Sequence, residues 1–277
     1  MISNTTSSTP HSNSFVTLTG YLLVAIVWIS SGLFGLYIVA HYGGSFVSSK
    51  MEQWNGLFNP NLYDPNYIQA TRGMALHFVA GGIILVLGSI QLLEWVRNRF
   101  LNFHRIVGRI YIFACLLTAL GGLTFIFLRG TVGGPVMNVG FGAYGIAMLI
   151  CSIQTIRFAR IKLVEQHKAW AIRLYALAIG SWLYRMYYGF MFFTGFLPLE
   201  AREFRDPIDV FMIFFFWVPN LLVAEFFIRS STNKLPKSIQ LSGSLMLWLV
   251  IVFISLATYN VTKGSWGPAI LGMFGLY

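Results

Sequence analysis

The chain has 277 residues, 56% of them apolar and 10% charged, with a mean hydropathy of +0.68. A soluble domain carries roughly a quarter charged residues, so a water-soluble globular enzyme is excluded. The 25 Phe, 13 Tyr and 8 Trp exclude a disordered chain, and the +10 formal charge is dispersed among apolar runs together with Glu94, Glu165 and Glu225, which reads as membrane topology and anionic-lipid contact, with no nucleic-acid surface.

Residues 1–15 form a polar N-terminal tail that lacks the basic start of a cleavable signal peptide. A helix needs about 20 apolar residues to cross a hydrocarbon core of roughly 30 Å. Seven runs meet that requirement: Val16 to Ala40, Gly73 to Leu93, Ile110 to Leu128, Pro135 to Ile156, Leu174 to Thr194, Val210 to Ile228 and Ser238 to Thr258. The expected fold is all-α, a polytopic membrane helical bundle of about seven transmembrane helices in one domain, 16–258. Residues 259–277 follow as a short apolar tail in which Pro268 to Tyr277 is too short to cross. Cys115 and Cys151 both fall inside apolar runs, which argues against a secreted-type disulfide framework.

Orientation follows from the basic residues, which are retained on the cytoplasmic side. Arg97, Arg99, Arg105 and Arg109 occupy one loop region, Arg157, Arg160, Lys162, Lys168 and Arg173 the next on that side, and Arg229, Lys234 and Lys237 the third. The opposite segments hold Lys50, Arg72, Arg129, Arg202, Arg205 and Lys263, diluted by Glu200, Glu203, Asp206 and Asp209. The N-terminus is therefore expected in the cytoplasm and the C-terminus outside. Arg185 stands apart, within the fifth run and toward its outer end, where a charge needs a partner or water.

Helical spacing places His104, Gly108, Tyr111, Cys115, Thr118 and Gly122 on one face of the third run. His167, Ala171, Leu174, Ala178, Ser181 and Arg185 share a face of the fifth, and Gly73, His77, Gly81, Gly88 and Gln91 a face of the second. Small and polar residues mark where helices approach each other in lipid, so these faces are expected to turn inward. At about 1.5 Å per residue, His104 and His167 lie at one level near the cytoplasmic interface, with His77 and His41 near the outer one.

The segments His104 to Leu123 and Glu165 to Tyr187, preceded by Leu76 to Arg99, resemble a family of predicted multi-pass membrane proteins catalogued as domain of unknown function 2306. The resemblance covers roughly residues 70–190. Its most specific pieces are the run His104, Arg105, Gly108, Arg109, Tyr111 and the run His167, Trp170, Arg173, Tyr175, Ala176, Leu177. It implies a transmembrane protein with His77, His104 and His167 at matched positions, and no established activity.

Two site chemistries fit these residues. The first is a b-type-cytochrome-like redox protein. Imidazoles from two helices ligate haem b from both faces and arginines pair with its propionates, with His104 and His167 at an inner site and His77 and His41 at an outer one. The second is a transporter or ligand-binding protein. Arg185 and Tyr184, facing Arg72 and His77, hold an anion or a quinone in an outer polar cavity, while Arg105, Arg109 and Arg173 serve an inner layer. A purely structural membrane protein is the third reading. No phosphate loop, His-Glu-x-x-His or Gly-x-Ser-x-Gly motif is present, and the glycine-rich run Gly130 to Gly142 reads as a helix connection.

Overall fold

A computed structural model describes residues 14–55, 62–197, 203–232 and 235–276, all helix and connection among those described. Lys234, Glu200, Arg202 and the polar tail up to residue 13 lie outside the described residues. Helix α1 (Ser14–Ile38) passes through a π turn, Val39–Gly43, into the short α2 (Gly44–Val47). Then come α3 (Ile68–Leu92), α4 (Glu94–Arg99), α5 (Leu101–Leu128), α6 (Gly134–Arg160), α7 (Val164–Ala178) and α8 (Gly180–Phe193). Helices α9 (Pro207–Phe215), α10 (Val218–Ser231), α11 (Lys237–Val261) and α12 (Gly267–Met273) complete the chain.

Six helical segments are long and apolar enough to cross a membrane: Ser14–Val47, Pro65–Leu92, Leu101–Leu128, Gly134–Arg160, Pro207–Ser231 and Lys237–Met273. The run expected as a fifth span is instead two helices, α7 and α8, meeting at Ile179. Sharp bends in helices occur at Gly and Ser pairs, and here Gly180 and Ser181 follow the break directly. Carbonyls near a break must find other donors where water is scarce. The Tyr144 hydroxyl donates to Leu177 O at 2.6 Å and Asn220 Nδ2 donates to Ala176 O at 3.2 Å.

The last helix also departs from expectation, because it does not end near Thr258. It runs through a π turn at Thr262–Trp266 into α12. Pro268 lacks the N–H that an α-helix would give to Gly264 O, and a Cβ at Gly267 would sit 2.7 Å from Thr262 O, so glycine is what this register accepts. Trp266 is buried and its ring lies 5.3 Å from Phe34 of α1.

Helices α3 and α5 make the tightest contact. A Cβ at Gly121 would lie 2.5 Å from Gly73 O, and one at Gly73 would lie 3.0 Å from Gly121 O, so the two backbones approach directly. Successive long helices run up and down, which gathers the basic connections at one end of the bundle. There Lys168 reaches Glu94 at 3.5 Å, and Glu225 takes Arg173 at 2.6 Å and Arg229 at 3.6 Å. The opposite, far end carries the connection from α5 to α6 and the start of α9. The Gly130 to Gly142 run is a tight connection: Gly130 and Gly134 have φ of 82° and 72°, and Asn138 Oδ1 accepts from Thr131 N at 2.6 Å before α6 takes over the remainder.

Candidate functional site

In the far half of the bundle the helices enclose a cavity of about 360 Å³. Its walls are Phe34 and Tyr37 of α1, Met74 and His77 of α3, Thr118, Gly122 and Arg129 of α5, Phe141, Tyr144 and Met148 of α6, and Tyr184, Arg185 and Tyr188 of α8. Val261 and Trp266 close the side toward the last helix. The second π turn, Thr262–Trp266, therefore borders the cavity through Ser265 and Trp266, whereas no residue of the first lines it, and π turns inside helices recur at functional sites.

Arg185 is the only cation deep in this wall among the described residues. Its Nη1 donates to Ser181 O of its own helix at 2.9 Å, and its guanidinium carbon stands 5.4 Å from the Phe34 ring centre. Tyr37, His77 and Tyr144 lie within its electrostatic reach. Among the described residues no carboxylate comes within 4.0 Å of it. A backbone carbonyl and an aromatic face solvate a guanidinium but leave its charge uncompensated.

His77 Nδ1 is 2.9 Å from Thr118 O across the α3–α5 contact. A carbonyl only accepts, so Nδ1 carries the proton and Nε2 is the nitrogen left for another partner. The ring packs against Gly122, where a Cβ would come 3.1 Å from Nδ1. At the far rim Arg129 pairs with Asp64 at 3.0 Å and stands 5.6 Å from the Tyr67 ring centre. Beneath it Tyr188 donates to Asp209 Oδ1 at 2.6 Å, while Asp209 Oδ2 accepts from Asp206 N at 3.0 Å. Asp209 is wholly buried and closes a capping box at the start of α9.

The other sequence candidates are placed as follows. Tyr184 lines the cavity beside Arg185, whereas Arg72 is exposed and does not line it. His41 lies in the π turn, stacked on Tyr37 with ring centres 5.4 Å apart, and is absent from the cavity wall. At the basic end His104 and His167 are within electrostatic reach of each other, with His167 Nδ1 3.0 Å from Thr155 O. Arg173 is engaged by Glu225 and stands 4.9 Å from the Trp170 ring centre, while Arg105 and Arg109 face outward. The inner arginines thus share no common centre. The glycine gaps beside the inner histidines are filled by protein. Gln91 Oε1 would be 2.9 Å from a Cβ at Gly108, and the Tyr111 and Tyr175 rings 3.0 and 3.1 Å from one at Gly88. A flat macrocycle has no slot there unless those side chains move.

Residues 74–228, more than half of the chain, match the family described as predicted membrane protein (DUF2306). The chain belongs to that family. It is an integral, multi-pass membrane protein, and its helices sit in a lipid bilayer. No curated protein matches it, and no solved structure does.

The family region supplies His77, Thr118, Tyr144, Tyr184, Arg185 and Tyr188, while Phe34, Tyr37, Asp64, Val261 and Trp266 come from outside it. Sequence reasoning passed over Asp209, the Arg129 to Asp64 pair and the whole contribution of α1 and the last helix. Only Asp209 carries a local sign, the Asp206-Pro207-x-Asp209 start of a capped helix. The rest depends on packing between segments far apart in the chain. Chemically, the arrangement offers one fixed positive charge, one imidazole nitrogen and aromatic walls. That set has the chemistry to hold a charged or polar head beside an apolar body.

Proposed function

We propose that this membrane protein binds an amphipathic small molecule in its far-end cavity, with an anionic head at Arg185 and His77 and an apolar body against Phe34, Tyr37, Phe141 and Trp266. The observation that carries this reading is Arg185, a guanidinium inside the bundle that no carboxylate of the described residues neutralises. A charge at membrane depth is costly, and a bound anion offsets that cost. A cavity of about 360 Å³ lies within the range of small-molecule sites, roughly 300–1,000 Å³. A quinone presents carbonyl acceptors to the same donors but leaves the charge in place, so it ranks second. The positive-inside rule supports placing the basic end and the N-terminus in the cytoplasm, which puts the cavity in the outer half of the bilayer.

The test is thermal unfolding in lipid nanodiscs with two probes, a medium-chain carboxylate and a short-tailed quinone. A ligand present at 100 times its Kd adds about 2.7 kcal/mol of stability. The carboxylate is expected to raise the melting temperature of the wild type and to do nothing for Arg185→Leu. Equal stabilisation of the variant defeats the reading, and stabilisation by the quinone alone transfers the site to a neutral head.

A further inference from the structure

Four buried polar atoms that have no nitrogen or oxygen partner among the described residues fall along one line of the bundle, one of them, the Tyr111 hydroxyl, beside the Cys115 thiol. They are His104 Nδ1, Gln91 Nε2, the Tyr111 hydroxyl and Thr118 Oγ1. The line follows the inward face of α5, where His104, Gly108, Tyr111, Cys115 and Thr118 succeed one another at helical spacing, and Gln91 is seated on Gly108. Tyr111 packs beside Tyr175 across Gly88, and the Tyr175 hydroxyl is 2.9 Å from Ser89 Oγ. Tyr111 and Cys115 are 4% and 0% exposed, so lipid and bulk water do not reach them. At about 1.5 Å per residue, His104 to Gly122 covers roughly 27 Å, nearly the hydrocarbon thickness.

Buried polar groups are nearly always hydrogen-bonded, and where the protein supplies no partner, internal water does. Orphaned donors and acceptors about two turns apart along one face, with Gln91 and the Cys115 thiol at the levels between them, call for a file of such waters. Each end of the file carries an imidazole. At the cavity, His77 faces Thr118 of α5 and Arg185 of α8; at the basic end, His104 faces His167 of α7 and Arg97 of α4. Gln154 Oε1, also buried without a partner, lies next to Thr155, whose carbonyl holds His167.

We propose that this line is a hydrated proton path joining the ligand cavity to the basic end of the bundle. In each transfer the Tyr111 oxygen accepts a proton from one neighbour as it releases its own to the next. An imidazole takes a proton on one nitrogen and gives one up from the other. After each transfer the hydroxyl turns back and the imidazole exchanges back to its first tautomer, so every group regains its starting state; one proton leaves for each that enters, and no electron moves. The path meets the anion site at His77 and Thr118, but conduction along it needs no ligand.

The experiment uses the full chain in sealed vesicles with a trapped pH dye and a potassium diffusion potential set by valinomycin. Wild type is expected to carry protons several-fold faster than protein-free vesicles. Tyr111→Phe removes a hydroxyl whose only protein partner among the described residues is the weakly bonding Cys115 thiol and keeps the ring, so the fold is retained and flux should fall at least tenfold. Thr118→Val provides a second break in the line. Wild-type flux equal to that of empty vesicles, or unchanged flux in both variants, overturns the proposal and leaves the Arg185 reading untouched. Hydroxyl-radical labelling by X-ray radiolysis checks the water directly. Cys115 should label well above Met186, which is equally buried off the line. Equal labelling removes the water file and the proposal with it.

Discussion

Asp209 and Arg185 show two ways for a charge to sit inside an apolar bundle. Asp209 is wholly enclosed, and its two oxygens accept from Tyr188 and from the backbone of Asp206, so its burial is met by hydrogen bonds. Arg185 has only a carbonyl of its own helix and an aromatic face. The first arrangement is structural, because it fixes the start of α9 against α8 beside the cavity. Tyr188→Phe should therefore lower stability by about 1–3 kcal/mol, the size of a buried hydrogen bond to a charged group. Asp209→Ala should cost more, since it also removes the reciprocal cap. Chemical denaturation in mixed micelles measures both. A Tyr188→Phe variant as stable as wild type would show that the short Tyr188 to Asp209 contact carries no net energy.

At the scale of elements, six of the seven expected runs lie in segments long and apolar enough to cross a membrane, and they were legible because their cause is local: an uncharged run long enough to cross lipid identifies itself. The inward faces of α3, α5 and α8 were legible for a similar reason, as His77, Thr118 and Arg185 fall at helical spacing with small residues. Deviations from regular helix were not legible. The break at Ile179 is tolerated because Tyr144 and Asn220, on two other helices, reach the carbonyls beside it. The π turns depend on how α1 and the last helix meet around Trp266. Backbone proximity has the same character: glycines occur along the whole of α3 and α5, and only the packed bundle separates those that bear contact from those that do not. At Gly121 a Cβ meets Gly73 O and His77 N, both backbone, whereas at Gly81 nothing lies within 4 Å. Gly121→Ala must push α3 from α5, at a cost of about 1–3 kcal/mol typical of overpacking, and should weaken ligand binding by displacing His77. Gly81→Ala should leave both unchanged. Thermal unfolding with and without the carboxylate probe compares the two variants, and parallel behaviour would mean that the α3–α5 contact does not position the cavity.

Across the whole molecule the polar groups divide between two ends, and the division bears unequally on the chemistries that the sequence left open. At the far end they surround a volume; at the basic end the arginines are engaged by Glu94 or Glu225 or face outward, and the spaces at Gly88 and Gly108 hold the side chains of Tyr111, Tyr175 and Gln91. A haem between His104 and His167 would have to displace those side chains and find propionate partners among arginines already turned elsewhere. An outer haem on His77 and His41 faces a different obstacle, since His77 gives its Nδ1 proton to Thr118 O and His41 is stacked on Tyr37 outside the cavity wall. The protein purified from haem-supplemented cells should accordingly show no Soret band that shifts on reduction with dithionite, and its melting temperature should not respond to added haemin. A shifting band that disappears in His104→Leu but survives in His77→Leu would relocate the functional centre to the basic end, and the far cavity would then be a packing feature of the bundle.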